Sequence, residues 1–209
     1  MRAGGGHILC LGAHCDDIDI GAGGTLIKWL AQWPQTRVTW VALSSDSRRA
    51  AELRASAQLF LAGAAEYDVL CAEFKNGFFP FHGDPIKEYF EALKELPNPD
   101  IVFTHQRDDR HQDHRLVSEL TWNTFRNHMV LEYEIPKYDG ELVQPNTFVE
   151  IEEEIIDRKS RILTECYPSQ QDKQWFDRDL FRGIARLRGV ECASSTRFAE
   201  AFSGRKLVL

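Results

Sequence analysis

The sequence lacks any apolar run of about 18 residues, so we expect no helix that crosses a membrane. Residues 1–6 also lack the apolar stretch that a signal peptide needs. The five cysteines are scattered and odd in number, without a Cys-x-x-Cys pair, which indicates reduced thiols rather than a disulfide framework. Together these absences predict a cytoplasmic location.

An excess of positive charge is missing as well. The 209 residues carry a formal net charge of −7, which argues against a nucleic-acid-binding surface because phosphate contacts need clustered Lys and Arg. The late run of Arg178, Arg182, Arg186 and Arg188 is more typical of a solvated helix face. An apolar content of 43% at this length predicts a single globular domain over residues 1–209.

What the sequence does contain is an alternation of strand and helix patterns. Short apolar runs predict buried strands at residues 7–12, 37–43, 68–72, 100–104 and 129–134, with an edge segment at 148–151. Amphipathic patterns predict helices at residues 21–33, 47–62, 85–96, 113–127, 152–166 and 177–187. The alternation predicts a three-layer α/β/α fold with a mostly parallel, Rossmann-like sheet.

Two distant segments concentrate residue types that bind metals. Residues 13–17 read Ala-His-Cys-Asp-Asp and residues 111–114 read His-Gln-Asp-His, in a chain with only seven His. Each segment follows a predicted strand, and ligands of open parallel sheets bind beyond the carboxyl ends of the strands. We therefore expect the two segments to converge at that edge of the sheet. Their side chains predict the metal site of a metal-dependent hydrolase.

The spacing within these segments suggests the metal ligands. His14 and Asp17 lie three residues apart at a turn, and His114 supplies a second nitrogen. Two imidazoles and one carboxylate suit zinc and leave a position open for water, although iron or cobalt accepts the same ligands. His105 and Arg107 could each belong to the site or only shape the loop, and the sequence does not decide between the two roles.

Other acidic and imidazole side chains nearby suggest the remaining chemistry. Asp16 is adjacent to a ligand and could accept the proton of the attacking water as a general base. His111 lies one helical turn before His114 and could donate a hydrogen bond or a proton. Asp109 or Asp113 could orient one of the imidazoles by a hydrogen bond from outside the metal's own ligands.

These residues carry a family resemblance. Residues 13–17, with the glycines of 20–24, resemble the first motif of the PIG-L/LmbE-like zinc deacetylases. Further matches, in the expected order, are Arg49-x-x-Glu52, Thr104-His105, residues 109–114 and the Phe-Ala-Glu-Ala-Phe of 198–202. The sequence departs from the commonest pattern at Cys15, where Pro is usual, and at Phe198, where Tyr is usual.

The resemblance implies a zinc-dependent N-deacetylase, a hydrolase of a linear amide, that releases acetate from an N-acetylglucosamine-type sugar or conjugate. It implies one zinc per subunit, held by His14, Asp17 and His114, with Asp16 and His111 as the catalytic side chains. It also implies that Arg49 contacts the substrate. The loop at residues 77–83 is a candidate lip for that substrate.

Two alternatives remain open from the sequence. One is a zinc amidase that acts on a different acylated amine of secondary metabolism. The other is a catalytically silent relative that only binds a metal or ligand, although binding alone would require neither Asp16 nor His111. The expected partner is a small N-acetylated molecule, and a homo-oligomer is possible.

Overall fold

The computed structural model describes residues 6–140 and 142–206. Across these residues one seven-stranded sheet has the order β3-β2-β1-β4-β5-β7-β6. Its strands are β1 His7–Gly12, β2 Arg37–Ala42, β3 Glu66–Cys71, β4 Ile101–His105, β5 Met129–Tyr133, β6 Thr147–Ile151 and β7 Phe198–Gly204. Strands β1 to β5 pair in parallel, and β7 pairs antiparallel with both β5 and β6. The mostly parallel sheet confirms the predicted fold class.

Helices cover both faces of the sheet. They are α1 Asp17–Gln32, α2 Ser47–Phe60, α3 Gly83–Ala92, α4 Gln112–Thr124, α5 Glu153–Cys166 and α6 Arg178–Glu191. Ile8 and Cys10 of β1 pack into one apolar cluster with α1, α2, α5 and α6, while Leu9 and Leu11 pack into another with α3 and α4. Because successive strand residues point to opposite faces, this division produces the three-layer arrangement.

Helix α1 begins at Asp17, four residues before the predicted start at residue 21. The glycines of residues 21–24 suggested a boundary, but they lie inside the helix for reasons of packing. A Cβ at Gly21 would lie 2.2 Å from the ring of Tyr133, and one at Gly23 would lie 2.6 Å from the ring of Phe60. The glycines therefore allow aromatic side chains to approach the helix backbone closely.

Asp46 caps α2, because its Oδ1 accepts from the backbone N of Arg49 at 2.8 Å. Two further expectations need correction. Strand β7 was not predicted as a strand, although its residues were recognised as a motif. Arg188 does not lie on a solvated face: it is buried and forms two hydrogen bonds with the carboxylate of Glu134, at 2.7 and 2.6 Å.

The predicted single domain over residues 1–209 includes residues 1–5, 141 and 207–209, which lie outside the described residues. All five cysteines are free thiols, as their scatter suggested. Within residues 6–140 and 142–206, no helix is long and apolar enough to cross a membrane.

Candidate metal centre

The two motif segments meet where β1 and β4 end. The two strands are neighbours in the sheet, so the turn after β1 carries His14 towards the first turn of α4, which holds His114. His14 Nδ1 lies 3.1 Å from His114 Nε2 and 3.4 Å from Asp17 Oδ2. His114 Nε2 lies 3.5 Å from Asp17 Oδ1. The three side chains thus form a small triangle of donor atoms.

This triangle fits a metal ion. Ligand atoms bound tetrahedrally to zinc at about 2.0–2.1 Å lie about 3.3–3.4 Å from one another. The three separations are close to that value, with Asp17 directing Oδ2 towards His14 and Oδ1 towards His114. Burial lowers the pKa of His14, but Asp17 and Asp113 oppose it and raise the pKa to about 10. The carboxylates around His14 therefore favour positive charge on its ring, whereas burial and His105 lower the pKa of His114 to about 3.

Hydrogen bonds behind the ligands fix the orientation of both imidazoles. His114 Nδ1 lies 2.8 Å from Oδ2 of the buried Asp109, which leaves Nε2 facing Asp17. His14 Nε2 lies 3.0 Å from Oδ1 of Asn76, which leaves Nδ1 facing the triangle. Such outer contacts select the tautomer and the ring orientation of metal-binding histidines. Asn76 had no sequence signal, because nothing local marks an amide in a remote loop.

Asp113 contacts His14 and also accepts hydrogen bonds from the backbone of the loop at residues 77–79. Its Oδ2 lies 3.4 Å from His14 Nε2 and accepts from the backbone N of Gly77 at 2.6 Å. Its Oδ1 accepts from the backbone N of Phe79 at 3.1 Å. Residues 73–76, just before the predicted lip at residues 77–83, form part of the wall of a cavity that the triangle also lines. The lip at residues 77–83 stays a prediction.

His105, which the sequence left undecided, is fully buried behind the triangle. Its Nε2 lies 3.1 Å from Asp17 Oδ2, and its ring stacks on His114 at 3.8 Å between centroids. Two other sets of side chains are also close enough to hold a metal ion, namely Asp17 with His105 and His114, and His14 with His111 and His114. However, the backbone N–H of Ala13 donates to His105 Nε2 at 3.0 Å, so that nitrogen is already occupied. We favour His14 as the ligand because it also lines the open cavity.

Asp16 lies beside the triangle but is not part of it. Although it precedes α1, among the described residues its side chain makes no capping bond to the helix. Its Oδ1 instead accepts from Arg49 Nη2 at 2.6 Å. Arg49 is held in turn by Ser169 Oγ at 2.8 Å and by Glu52 Oε2 at 3.2 Å. Arg49 thus orients Asp16 and also lines the cavity, where a substrate would pass.

His111 precedes α4 and presents one nitrogen to the cavity. Its Nδ1 accepts from the backbone N of Asp113 at 3.2 Å, so the neutral ring carries its proton on Nε2. Burial and the neighbouring His14 lower the pKa of His111. The ring lies 4.6 Å from that of His114 between centroids. An Nε2–H donor beside the metal site is suited to stabilise a developing oxyanion.

The three side chains of the triangle line a cavity of about 560 Å³, here called the main cavity. Its walls include Arg49, Lys75, Lys137 and Lys173 as well as acidic side chains such as Glu73. This volume lies in the range of small-molecule sites. The cavity can therefore hold a substrate of the size of a monosaccharide directly against the donor atoms.

The sheet topology and this edge cluster define an α/β protein with a candidate metal site at the carboxyl ends of its parallel strands. Residues 9–125 match the family described as PIG-L, GlcNAc-PI de-N-acetylase. Because the match covers more than half of the sequence, the chain belongs to that family. The resemblance expected from the two motifs is confirmed.

Solved structures show the same fold. The conserved protein TT1542 from Thermus thermophilus is 21% identical, with a TM-score of 0.75 over 97% of this chain and 96% of that chain. N,N'-diacetylchitobiose deacetylase from Pyrococcus horikoshii is 20% identical, with a TM-score of 0.66 over 95% and 83%. GalB, the 4-carboxy-2-hydroxymuconate hydratase from Pseudomonas putida KT2440, is 18% identical, with a TM-score of 0.74 over 98% of each. A hydratase on this fold shows that the reaction must be argued from the site.

Proposed function

We propose that this protein is a zinc-dependent N-deacetylase that releases acetate from an N-acetylglucosamine-type sugar or sugar conjugate. The observation that carries the proposal is the triangle of His14, Asp17 and His114, with the carboxylate of Asp16 beside it. Family membership over residues 9–125 supports the same conclusion. The proposed substrate partner is thus a small N-acetylated molecule.

The roles of the side chains follow from their positions. Zinc bound at the triangle would acidify water and polarise the amide carbonyl. Asp16, held by Arg49, accepts the proton of the attacking water and returns it to the departing amine. The Nε2–H of His111 donates to the carbonyl oxygen as negative charge develops there. Arg49 keeps the carboxylate of Asp16 directed into the cavity.

The test is an acetate-release assay on N-acetylglucosamine derivatives, with the protein loaded with zinc at about one ion per subunit. Asp16→Asn should lower turnover by about 100-fold or more, the usual contribution of a general base, while zinc content stays at the parent level. Glu73→Gln is the matched control, since Glu73 is an exposed carboxylate that lines the same cavity. Turnover of Asp16→Asn at the parent rate would show that Asp16 is not the base.

The assay also separates the alternatives. A zinc amidase for another acylated amine would leave N-acetylated sugars untouched and hydrolyse other amides. A hydratase such as one of the structural neighbours would add water without releasing acetate. Zinc binding without turnover of any amide would identify a silent relative. Each of these results would overturn the proposed reaction.

A further inference from the structure

The turn that follows α5 contacts the surroundings of the proposed general base. Helix α5 ends just before a proline, because a residue that precedes proline is disfavoured in the helical conformation. The chain then turns at residues 167–170, here called the α5 turn. Tyr167 and Ser169 of this turn both contact Arg49, the side chain that binds Asp16. The α5 turn can therefore influence where the base lies.

The ring of Tyr167 supports the guanidinium group of Arg49. The guanidinium carbon lies 5.3 Å from the centroid of the ring, which is a cation–π contact. Tyr167 is fully buried, so little water competes for this face of the ring. The contact helps to keep Nη2 of Arg49 directed at Asp16 Oδ1, from which it lies 2.6 Å away.

The hydroxyl group of Tyr167 holds the backbone directly before Asp16. It lies 2.7 Å from the carbonyl oxygen of Cys15 and 3.0 Å from Oδ2 of Asp19. The carbonyl can only accept, so the single hydroxyl hydrogen is donated to Cys15 at the shorter distance. That carbonyl belongs to the peptide bond between Cys15 and Asp16. Because the peptide unit is planar, a bond to its oxygen restrains the plane from which the Asp16 side chain projects.

Two further buried side chains restrain this hydroxyl group. Ser56 of α2 donates a short hydrogen bond from Oγ to Oδ1 of Asp19, and both residues are fully buried. Hydrogen bonds in such a network strengthen one another where water is excluded. The network joins α1, α2 and the α5 turn behind Asp16. Tyr167 thus has a fixed position from which to act on the base.

We propose that Tyr167 is a positioning residue for the proposed general base: its hydroxyl group orients the peptide that leads into Asp16, and its ring supports the guanidinium group that binds the carboxylate. The inference rests on the proposed deacetylase function. Among the described residues, those that line the main cavity do not include Tyr167, so it acts through the groups that it contacts. Loss of the hydroxyl group should lower kcat and leave KM and zinc content at the parent level.

The kinetic test is a double-mutant cycle of Tyr167→Phe and Asp16→Asn, measured as acetate release from an N-acetylglucosamine derivative. Tyr167→Phe alone should lower kcat by about tenfold, because a misplacement of roughly 1 Å in a catalytic group can cost about 100-fold. Added to Asp16→Asn, it should change kcat by less than about twofold, since the group through which Tyr167 acts is already lost. A parent-level kcat in Tyr167→Phe, or the same tenfold loss in both backgrounds, would overturn the inference.

Tyr133→Phe is the matched control for the cycle. Tyr133 is also fully buried, and its hydroxyl group donates to the backbone carbonyl of Leu11 at 2.7 Å. The same hydroxyl group lies 3.3 Å from Nε2 of His105, behind the metal triangle rather than beside Asp16. Any effect of Tyr133→Phe on kcat should therefore be equal with and without Asp16→Asn. An effect that vanishes in the Asp16→Asn background would refute a specific link between Tyr167 and the base.

Crystal structures of the two Phe variants separate this inference from the proposed reaction, because they do not depend on turnover. In Tyr167→Phe the peptide before Asp16 should rotate, and the carboxylate should shift by about 1 Å or occupy more than one position. In Tyr133→Phe the carboxylate should stay on Arg49. If the parent protein releases no acetate, the proposed function fails, while these structures still decide the positioning role. An unmoved Asp16 carboxylate in Tyr167→Phe would refute it.

Discussion

A substitution of Asp109 gives the sharpest test of the metal centre, because its two carboxylate oxygens accept hydrogen bonds from three donors. Oδ2 faces His114 Nδ1 at 2.8 Å, while Oδ1 accepts from Lys137 Nζ at 2.9 Å and from the backbone N of His111 at 2.8 Å. Asn at this position offers one oxygen and one NH₂ group. In either orientation the NH₂ group faces a donor, so Asp109→Asn cannot satisfy all three.

The expected effect of Asp109→Asn has two parts. Loss of the hydrogen bond to His114 removes the group that orients a metal ligand, and such changes weaken metal binding by about 10–100-fold, or about 1.4–2.7 kcal/mol. Loss of the buried charge also removes one of the carboxylates near Lys137, whose Nζ keeps Asp139 Oδ2 at 3.9 Å, and this lowers the free energy of unfolding by about 1–3 kcal/mol. Lys137 is 9% exposed, so solvent offsets little of that cost.

Zinc affinity is measured by competition with a chromophoric chelator, and stability by urea denaturation of the metal-free protein. The matched control is Asp108→Asn, the same change at the neighbouring residue, whose side chain is exposed. We expect the control to match the parent protein in both measurements. Parent-level zinc affinity in a folded Asp109→Asn protein would refute the view that Asp109 orients His114.

Three further predictions follow from other contacts. His114→Ala should lose zinc, as shown by metal analysis after gel filtration, because it removes one corner of the triangle; full occupancy would exclude it as a ligand. Arg49→Met should lower kcat by about tenfold or more with unchanged zinc content, because the base loses the group that orients it; an unchanged kcat would contradict this. Gly21→Ala should lower the free energy of unfolding by about 2 kcal/mol or more, since the new Cβ would overlap the ring of Tyr133. Gly183→Ala, with open space around its Cβ among the described residues, should instead raise thermal stability slightly; equal effects at the two glycines would contradict the packing argument.

Much of the fold was predictable because each parallel strand is buried on both faces. The apolar runs around Leu9, Val41 and Phe103 therefore stand out in the sequence. The meeting of His14 with His114 was predictable for a related reason, since both follow strands of the same parallel sheet. Because the carboxyl ends of parallel strands meet at one edge of a sheet, the two histidines could be placed together without coordinates.

The remaining features depend on contacts that leave no local pattern. Gly21 predicts a helix boundary from the sequence, and only the ring of Tyr133, more than a hundred residues away, shows why it lies inside α1. Asn76 and Lys137 come from loops whose course the sequence does not specify. Their parts in the site follow from where those loops pass, so residue type and spacing alone could not identify them.

The contacts of Glu200 explain why the motif at residues 198–202 occurs together with the two motifs that form the proposed metal site. Its carboxylate accepts from the backbone N of Gly24 at 2.8 Å and of Thr25 at 2.6 Å, inside the helix that begins with Asp17. Lys159 of α5 completes the contact at 2.6 Å and is itself buried. Because a buried carboxylate is costly unless it is paired, these bonds act together to join β7 to α1. Glu200 therefore helps to hold the helix that begins with Asp17, although it lies far from the proposed metal-binding motifs in the sequence.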